Sequence, residues 1–346
     1  MRGYSFYNGS PRGARESGSA LQRDSVGGMR GMVFAAGLGT RLKPLTDVLP
    51  KPAVPLLNRP LASYSLERLA ALGVEEVAIN THHLGEAVVR ELSPHVPDGM
   101  SARFVHEPVL LGTGGGLRHA MGDGAMRDGA MAGGDEVVVM NGDILFWPDL
   151  EGAIALHRRL DAIATVVLRE DPRARQLGAL EIDGDGRVRR MLGKPVEVEE
   201  PLRELMFTGV HVLSARALAE LPEEGCIIRK SYRRWIDSGE MVAGFVDTGS
   251  WRDLGTPVEY LRASVEMLRG QLRWPGRTGV AIDPRAGVRD ARLSDVVVGA
   301  GARIDPGVQL ERAIVWPDTH VGEDASDVIL APHARVFAGA PPVLRS

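Results

Sequence analysis

Between Gly31 and Leu272 the apolar positions follow two alternating periods. Short continuous apolar runs, such as VVVM at Val137–Met140, are typical of strands buried on both faces, and the segments between them have the spacing of amphipathic helices. The predicted strands are Met32–Ala36, Glu76–Asn80, Ala102–His106, Glu136–Met140, Ala164–Arg169, Ala179–Asp183 and Thr208–Leu213. The predicted helices are Pro60–Leu72, Gly85–Leu92, Gly115–Met121, Leu150–Leu160, Ala215–Leu221 and Thr256–Leu268. This alternation predicts a doubly wound, mainly parallel α/β sheet that binds ligands beyond the carboxyl ends of its strands.

After Leu272 the helical period disappears. Apolar residues then recur about every six positions, with small and turn-forming residues between them. The recurring positions are Val298, Ile304, Leu310, Trp316 and Val321 with Gly322. This rhythm predicts a short left-handed parallel β-helix of two or three coils, and an irregular β-rich tail is the alternative. The predicted domains are therefore an α/β domain at residues 31–272 and a β-helix with its tail at residues 273–346.

Composition excludes several classes of protein. Of the 346 residues, 44% are hydrophobic and 25% are charged, as in ordinary globular chains, and the net charge of −4 gives no basic field for nucleic acid. No apolar stretch approaches the ~20 residues needed to span a membrane. The single cysteine, Cys226, excludes a disulfide framework within the chain and fits a reducing, cytoplasmic location. Residues 1–30 are rich in Gly, Ser and Arg, and we expect them to form a disordered extension.

The segment Gly31–Pro52 carries the most specific chemistry. An apolar run ends in a glycine-rich turn that contains Arg41, and Lys51 follows between two prolines. A Walker A loop needs Lys-Ser or Lys-Thr after its glycines, and a dinucleotide fingerprint needs a third glycine where Leu42 stands. The remaining interpretations are a loop whose backbone N–H groups and two cations hold phosphates, and a surface turn with solvated charges.

This segment, AAGLGTRLKPLTDVLPKPAVPL, strongly resembles the signature of the sugar-1-phosphate nucleotidyltransferases, or NDP-sugar pyrophosphorylases. Segments similar to the later motifs of that family follow in the expected order. They are LLGTGGGL (Leu110–Leu117), VVMNGDIL (Val138–Leu145), GKP (Gly193–Pro195), FTGVHVL (Phe207–Leu213) and WRDLGTPVEYLRA (Trp251–Ala263). The resemblance extends from Gly31 to about Ala263, and a C-terminal β-helix is common in one branch of the family.

The resemblance implies a reaction of an NTP with a sugar-1-phosphate that gives an NDP-sugar and pyrophosphate. No protein nucleophile is needed, so catalysis rests on positioning and charge stabilisation. The catalytic residues that the resemblance implies are Arg41, Lys51, Asp143 and Asp253. The two aspartates would hold Mg²⁺, since they supply the hard oxygen ligands that this ion prefers. The implied nucleotide-binding residues are Ala35, Ala36, Gly37, Gly39, Thr40, Arg41, Glu107, Gly112, Thr113 and Gly114.

The substrates are less defined than the reaction. The resemblance implies sugar contacts from Asn141, Gly178, Lys194, Thr208 and Gly209, but Gly193 stands where some members have a sugar-binding Glu. If Glu107 faces the base, its carboxylate suits the two N–H groups of guanine, and a rim salt bridge is the alternative. The tail segment LERAIVWPDTHVG (Leu310–Gly322) also resembles mannose-1-phosphate guanylyltransferases, whereas GTGGG with FTGV is similar to uridylyltransferases that act on amino sugars. The resemblance thus favours GTP with mannose-1-phosphate, with UTP or dTTP and glucose- or N-acetylated amino-sugar 1-phosphates as alternatives.

Two other classes of protein compete with an enzyme. One is a non-catalytic regulatory subunit that senses nucleotide sugars, and the other is a β-helix assembly module fused to a degenerate domain. A regulatory subunit would be expected to lose the cations or the aspartates, whereas this chain keeps Arg41, Lys51, Asp143 and Asp253. An enzyme is therefore expected, with an NTP and a sugar-1-phosphate as its partners and a homo-oligomer as its assembly.

Overall fold

The computed structural model describes residues 29–122, 136–193, 201–272 and 280–339. Residues 1–28 of the predicted N-terminal extension therefore lie outside the described residues, and so does Lys194. The last two residues of that extension, Met29 and Arg30, are described. The strands are β1 (Arg30–Phe34), β2 (Pro55–Leu56), β3 (Arg59–Pro60), β4 (Glu76–Thr81), β5 (Ser101–His106), β6 (Glu136–Asn141), β7 (Ile144–Phe146), β8 (Ala164–Arg169), β9 (Ala179–Ile182), β10 (Val188–Met191), β11 (Arg203–Ser214), β12 (Val242–Val246), β13 (Trp251–Asp253), β14 (Val280–Ile282), β15 (Gly287–Val288), β16 (Arg292–Val298), β17 (Arg303–Ile304), β18 (Gln309–Val315), β19 (His320–Val321), β20 (Ala325–Ala331) and β21 (Ala334–Phe337). The α-helices are α1 (Ala62–Ala71), α2 (Gly85–Leu92), α3 (Gly112–Met121), α4 (Leu150–Arg159), α5 (Ala174–Leu177), α6 (Ala215–Ala219), α7 (Arg233–Asp237) and α8 (Pro257–Leu268).

A large mixed sheet forms the centre of the chain. Its strands lie in the order β10-β9-β11-β6-β1-β4-β5, and β8 and β12 extend it from β11. The β6-β1-β4-β5 half is parallel throughout, whereas β11 runs antiparallel to β6, β8 and β9. The chain therefore has the mixed α/β fold with a large, mainly parallel sheet that the sequence predicts, and β10 and β11 run against its other strands.

Helices cover both faces of this sheet, as the continuous apolar strands require. Val33 of β1 packs in a cluster with Leu66 of α1 and Ile154 of α4, while its neighbour Met32 packs on the other face with Leu117 of α3. Successive residues of a strand point to opposite faces, so both faces of β1 need a helical cover. The parallel strands thus end along the same edge of the sheet, between the helices that cover its two faces.

The region after residue 279 consists of parallel strands. β14, β16, β18 and β20 pair in parallel in one sheet, β15, β17 and β19 pair in parallel in another, and β21 closes the first sheet in the antiparallel direction. All five positions of the six-residue rhythm are buried, as the sequence predicts. Trp316, however, does not join the cluster formed by the other four but packs with α8.

The element boundaries differ from the sequence-based ones in several places. β1 ends at Phe34, which leaves Ala35 and Ala36 in the loop, and α3 begins at Gly112 rather than at Gly115. Several short elements were not predicted, namely β7, β10, β12, β13, α5 and α7, because short segments with glycine or charged residues give a weak pattern. No helix among the described residues is long and apolar enough to cross a membrane.

Candidate active site

A cleft of about 270 Å³ opens at the carboxyl ends of the parallel strands. Residues at or next to the C-terminal ends of β1, β4, β5 and β6 line it, which brings four separate segments to one place. The lining residues are Phe34, Ala36, Gly37, Gly39, Lys51, Pro52, Asn80, Glu107, Leu110, Gly112, Thr113, Asn141 and Asp143. Most of the predicted nucleotide-binding residues belong to this set, and Ala35, Thr40, Arg41 and Gly114 are neighbours of its members in sequence.

The glycine-rich turn is shaped by its contact with Lys51. Gly39 has a φ of +61°, and a Cβ atom there would lie 2.9 Å from Cβ of Lys51, so a side chain would collide as well as strain the backbone. The Thr46 hydroxyl donates to the Gly39 carbonyl at 2.9 Å and fixes the turn. The backbone at Gly37 is open, with nothing within 4 Å of a Cβ added there. The turn therefore presents bare backbone to the cleft beside a fixed lysine.

Four charged side chains from three parts of the chain meet at the mouth of the cleft. The ammonium of Lys51 donates to Oδ2 of Asp143 at 3.1 Å and to Oδ1 of Asp253 at 2.9 Å. Arg41 donates to the other oxygen of Asp253 at 3.2 Å. All four predicted catalytic residues are thus brought together, although more than two hundred positions separate Arg41 from Asp253 in sequence.

Burial differs sharply across these four residues. The side chain of Lys51 is only 4% exposed and that of Asp253 is 25% exposed, whereas Asp143 and Arg41 reach solvent at 41% and 66%. Burial by itself acts to raise the pKa of Asp253, but Lys51 and Arg41 outweigh this effect and hold its pKa below the usual value. Asp253 is therefore ionised at neutral pH.

The Asp143–Asp253 pair fits a divalent cation. The ammonium of Lys51 reaches an oxygen of each carboxylate, which shows that the two acids lie close together. The donors are hard carboxylate oxygens of the kind that Mg²⁺ prefers. The described residues contain no group of three or more His, Cys, Asp or Glu side chains around a common point.

Glu107 occupies the floor of the cleft and is fully buried. Its Oε1 accepts from the side-chain amide of Asn80 at 2.7 Å, and its Oε2 accepts from the backbone N–H of Leu111 at 3.0 Å. Asn80 in turn accepts from the backbone N–H of Ala35 at 2.9 Å. Both oxygens of Glu107 thus have donors within the protein, which join the ends of β1, β4 and β5.

The motif segment LLGTGGGL (Leu110–Leu117) is attached to a segment that is distant in sequence. The backbone N–H of Gly114 donates to the carbonyl of Gly225 at 2.8 Å, and the N–H of Gly225 donates to the carbonyl of Leu111 at 2.6 Å. A Cβ atom at Gly115 would lie 2.4 Å from the carbonyl oxygen of Glu223. The glycines of GTGGG therefore permit close packing of two backbones as well as the approach of a ligand.

Among the predicted sugar-binding residues, Asn141 and the adjacent Gly209 lie at the cleft, whereas Thr208 and Gly178 make other contacts. Asn141 lines the cleft, and its amide lies against Gly209, whose φ is +87° where the register of β11 shifts. The hydroxyl of Thr208 is buried and donates to the carbonyl of Val167 at 2.7 Å, so this side chain serves the sheet. Gly178 ends α5 with a φ of +97°, beside the Leu192 side chain.

Comparisons with known proteins identify the class of enzyme to which this site belongs. Residues 30–270 match the family model described as "Nucleotidyl transferase". The chain belongs to this family. It is a sugar-1-phosphate nucleotidyltransferase, because the curated relatives named below share the cleft-bearing domain and most of the rest of the chain.

Two curated relatives and one solved structure illustrate the likeness. A mannose-1-phosphate guanylyltransferase of Mycobacterium tuberculosis is 31% identical over 84% of this chain and 80% of its own length. A UTP–glucose-1-phosphate uridylyltransferase of Synechocystis is 27% identical over 82% of this chain and 76% of its own length. HddC from Yersinia pseudotuberculosis, solved in complex with GMP-PN, has a TM-score of 0.55 at 22% identity and covers 68% of this chain and 97% of its own. The last likeness shows the fold alone.

The nucleotidyltransferase site contains residues that sequence reasoning missed. Asn80 and Phe34 line the cleft, and so do Pro52 and Leu110. Asn80 is the informative one, because it is 3% exposed and links Ala35 to Glu107. The signal in the sequence was a lone amide next to the end of a buried strand, where polar residues of ligand sites commonly lie.

Proposed function

We propose that this nucleotidyltransferase transfers GMP from GTP to mannose-1-phosphate, with Arg41, Lys51, Asp143 and Asp253 as its catalytic residues. The convergence of these four side chains beside an open glycine turn is the observation that supports the catalytic assignment. The similarity to the mycobacterial guanylyltransferase supports the substrate pair. The uridylyltransferase relative makes UTP with glucose-1-phosphate the second candidate.

The reaction is a direct displacement at phosphorus. A phosphate oxygen of the sugar-1-phosphate forms a bond to the α-phosphorus, the bond from that phosphorus to the α–β bridging oxygen breaks, and pyrophosphate leaves with the electron pair. Lys51 holds the phosphate groups at the reacting centre, and Arg41, which is exposed at the mouth, neutralises charge on the departing pyrophosphate. Gly37 and Gly39 let the backbone approach the phosphates.

Asp143 and Asp253 would hold Mg²⁺ in this proposal. When bound, Mg²⁺ neutralises charge on the phosphate oxygens and orients them for in-line attack. The two carboxylates meanwhile orient the ammonium of Lys51, because it already donates to both of them. Asp253 also orients the guanidinium of Arg41.

The base and the sugar would lie on opposite sides of the four catalytic charges. The base would lie over Gly112–Thr113 and beside Leu110, with the floor supplied by Glu107. Since Glu107 already accepts from Asn80 and Leu111, its contacts do not strengthen the choice of guanine. The sugar would contact Asn141 and the backbone at Gly209, and Lys194 and Gly178 stay predictions from the family motif.

We also propose that the chain consists of a catalytic domain followed by a β-helix. The family match at residues 30–270 supports a catalytic domain at residues 31–272. Parallel pairing between successive coils, together with buried residues at the six-residue positions, supports a left-handed parallel β-helix within residues 273–346. Met29 and Arg30, which the sequence assigned to the N-terminal extension, belong to the catalytic domain, because Met29 packs in its core and Arg30 begins β1.

The decisive experiment is a pyrophosphate-release assay with Mg²⁺ that crosses five nucleotides with several sugar phosphates. GTP, UTP, dTTP, CTP and ATP would each be paired with the 1-phosphates of mannose, glucose and N-acetylated hexosamines. We expect the highest kcat/KM for GTP with mannose-1-phosphate. A preference for UTP with glucose-1-phosphate would overturn the substrate pair and keep the catalytic residues. Release that persists in Lys51→Ala would overturn the catalytic assignment.

A further inference from the structure

The four proposed catalytic residues have neighbours in sequence that share one apolar core. Leu42, Val54, Leu145 and Leu254 lie one to three positions from Arg41, Lys51, Asp143 and Asp253, and all four are at most 3% exposed. The same cluster contains residues of α8 and of the C-terminal strands. We call it the bridging core, and its C-terminal members are Ala281, Val297, Ile314, Trp316, Ile329, Ala331 and Ala338.

A chain of hydrogen bonds runs through the bridging core. The indole N–H of Trp316 donates to the Tyr260 hydroxyl at 3.2 Å, and that hydroxyl donates to the backbone carbonyl of Pro55. Burial raises the pKa of Tyr260, which keeps the hydroxyl protonated and able to donate. Pro55 follows Lys51 by four residues, and the N–H of Val54 closes the turn onto the Lys51 carbonyl at 3.1 Å.

Further contacts fix the rest of the same segment. The Tyr64 hydroxyl donates to the Leu56 carbonyl at 2.8 Å. Asn58, at the tip of the β2–β3 turn with a φ of +64°, donates to the carbonyl of Val298 at 3.0 Å and lies 3.4 Å from that of Ala281. The segment after Lys51 is thus held from α1, from α8 and from the C-terminal strands.

We propose that the C-terminal strands position the catalytic lysine, through Trp316 and Tyr260 acting on the Pro55 carbonyl. These two are positioning residues, since they touch Pro55 and each other rather than the cleft-lining charges. The inference rests on the proposed role of Lys51. Its physical basis is that a displacement of about 1 Å at a catalytic group can cost about 10²-fold in rate. A fully packed anchor on the adjoining backbone limits such displacement.

The test uses Trp316→Phe and Tyr260→Phe in the full chain, because each removes one polar atom of the hydrogen-bond chain and keeps an aromatic ring. We expect kcat to fall about three- to tenfold in either variant, with the KM for the sugar phosphate unchanged. The double variant should be no slower than the slower single variant, because both act through one carbonyl. Assays at 25 °C, well below the unfolding midpoints, separate this effect from loss of folded protein.

The matched control is Tyr232→Phe. Tyr232 is equally buried, its hydroxyl pairs with His211 at 2.6 Å, and it belongs to a cluster separate from the bridging core. This variant should lower the unfolding midpoint and leave kcat unchanged. An unchanged kcat in Trp316→Phe and Tyr260→Phe, with only a lower midpoint, would overturn the proposal.

A second readout does not depend on turnover. Exchange of the backbone amide hydrogens of Lys51, Ala53, Val54 and Leu56 should quicken at least threefold in Trp316→Phe and stay at the wild-type rate in Tyr232→Phe. Unchanged exchange in this segment would count against positioning even if the wild-type chain turned over none of the substrate pairs. Faster exchange with an inactive wild-type chain would instead reject the proposed function and keep the anchor.

Discussion

Lys51 carries a charge that is almost completely removed from solvent. A buried ammonium is tolerated when carboxylates compensate it, and here Asp143 and Asp253 do so while Arg41 balances the second acid. The four charges sum to zero before any substrate arrives. A triphosphate and a sugar phosphate would add several negative charges to this neutral group. This gives an electrostatic reason for a divalent cation beside Asp143 and Asp253.

Substitution of Asp143 by Asn tests the cation position directly. The change removes one of the two converging charges and keeps the shape of the side chain, which is 41% exposed, so we expect the fold to persist. The Mg²⁺-dependent kcat should fall at least about 10²-fold, the scale of losing one transition-state interaction. Pyrophosphate release across a Mg²⁺ titration measures it.

Asp47→Asn provides the control for that substitution. Asp47 lies between Arg41 and Lys51 in sequence, is 47% exposed and pairs with Lys43 at 2.8 Å, away from the four converging charges. Its kcat should stay within about twofold of the wild-type value, because exposed ion pairs contribute little. Wild-type turnover in Asp143→Asn would remove this residue from the proposed cation site.

At the scale of elements, the loop after β1 was predictable because its residues are constrained locally. Glycines, an arginine and a lysine between prolines within twenty positions have few structural uses, and the carboxyl ends of parallel strands fix where they lie. Asn80 was not predictable, since one amide after a strand is common and only its two partners reveal its role. The burial of Glu107 likewise depends on an element distant in sequence.

Trp316 shows a second limit of pattern reading. A six-residue period predicts that a side chain is buried but does not say in which cluster, and Trp316 packs against α8 rather than with Val298 and Leu310. Similarly, β12 pairs with β8 although VAGFV is too short to stand out in the sequence. Contacts between segments that are distant in sequence determine the packing of Trp316 and the pairing of β12. A periodic pattern in the sequence does not specify such contacts.

The loop between β5 and α3 yields a prediction about a glycine. Gly112 has a φ of +73°, and an added Cβ would lie 2.8–3.0 Å from three backbone atoms of Gly225. In Gly112→Ala the loop must shift, so we expect the KM for the nucleotide to rise about tenfold, with a stability loss of about 1–3 kcal/mol. Steady-state kinetics and denaturant unfolding give the two values.

Gly73→Ala separates backbone strain from the collision with Gly225. Gly73 has a φ of +91° and nothing within 4 Å of an added Cβ, and it follows α1. This variant should lose about 1 kcal/mol of stability and keep the wild-type KM. A wild-type KM in Gly112→Ala as well would mean that the attachment of the loop to Gly225 does not shape the nucleotide site.

At the scale of the whole molecule, the stability of the sheet and that of the site have different supports. The catalytic loops share the bridging core with the C-terminal strands, whereas the sheet is stabilised by a separate cluster on each face. Two histidines are buried with partners in or against the sheet: His157 of α4 pairs with the Thr165 hydroxyl of β8 at 2.9 Å, and His211 of β11 pairs with the Tyr232 hydroxyl at 2.6 Å. Since these partners are not cleft residues, we expect the titration of the two histidines to affect stability rather than catalysis.

Burial lowers the pKa of His157 to about 4 and that of His211 to about 3, compared with 6.5 for a free histidine. Both are neutral in the folded chain and bind a proton on unfolding below pH 6.5, so the stability they support is complete above that pH. We expect the free energy of unfolding to fall between pH 6.5 and 4, by up to about 1.4 kcal/mol per pH unit for each histidine. Denaturant unfolding at pH 7, 6 and 5 measures this slope.

His157→Gln should remove one histidine's share of the slope, because glutamine does not titrate. A slope equal to that of the wild type would exclude His157 as a source of acid sensitivity.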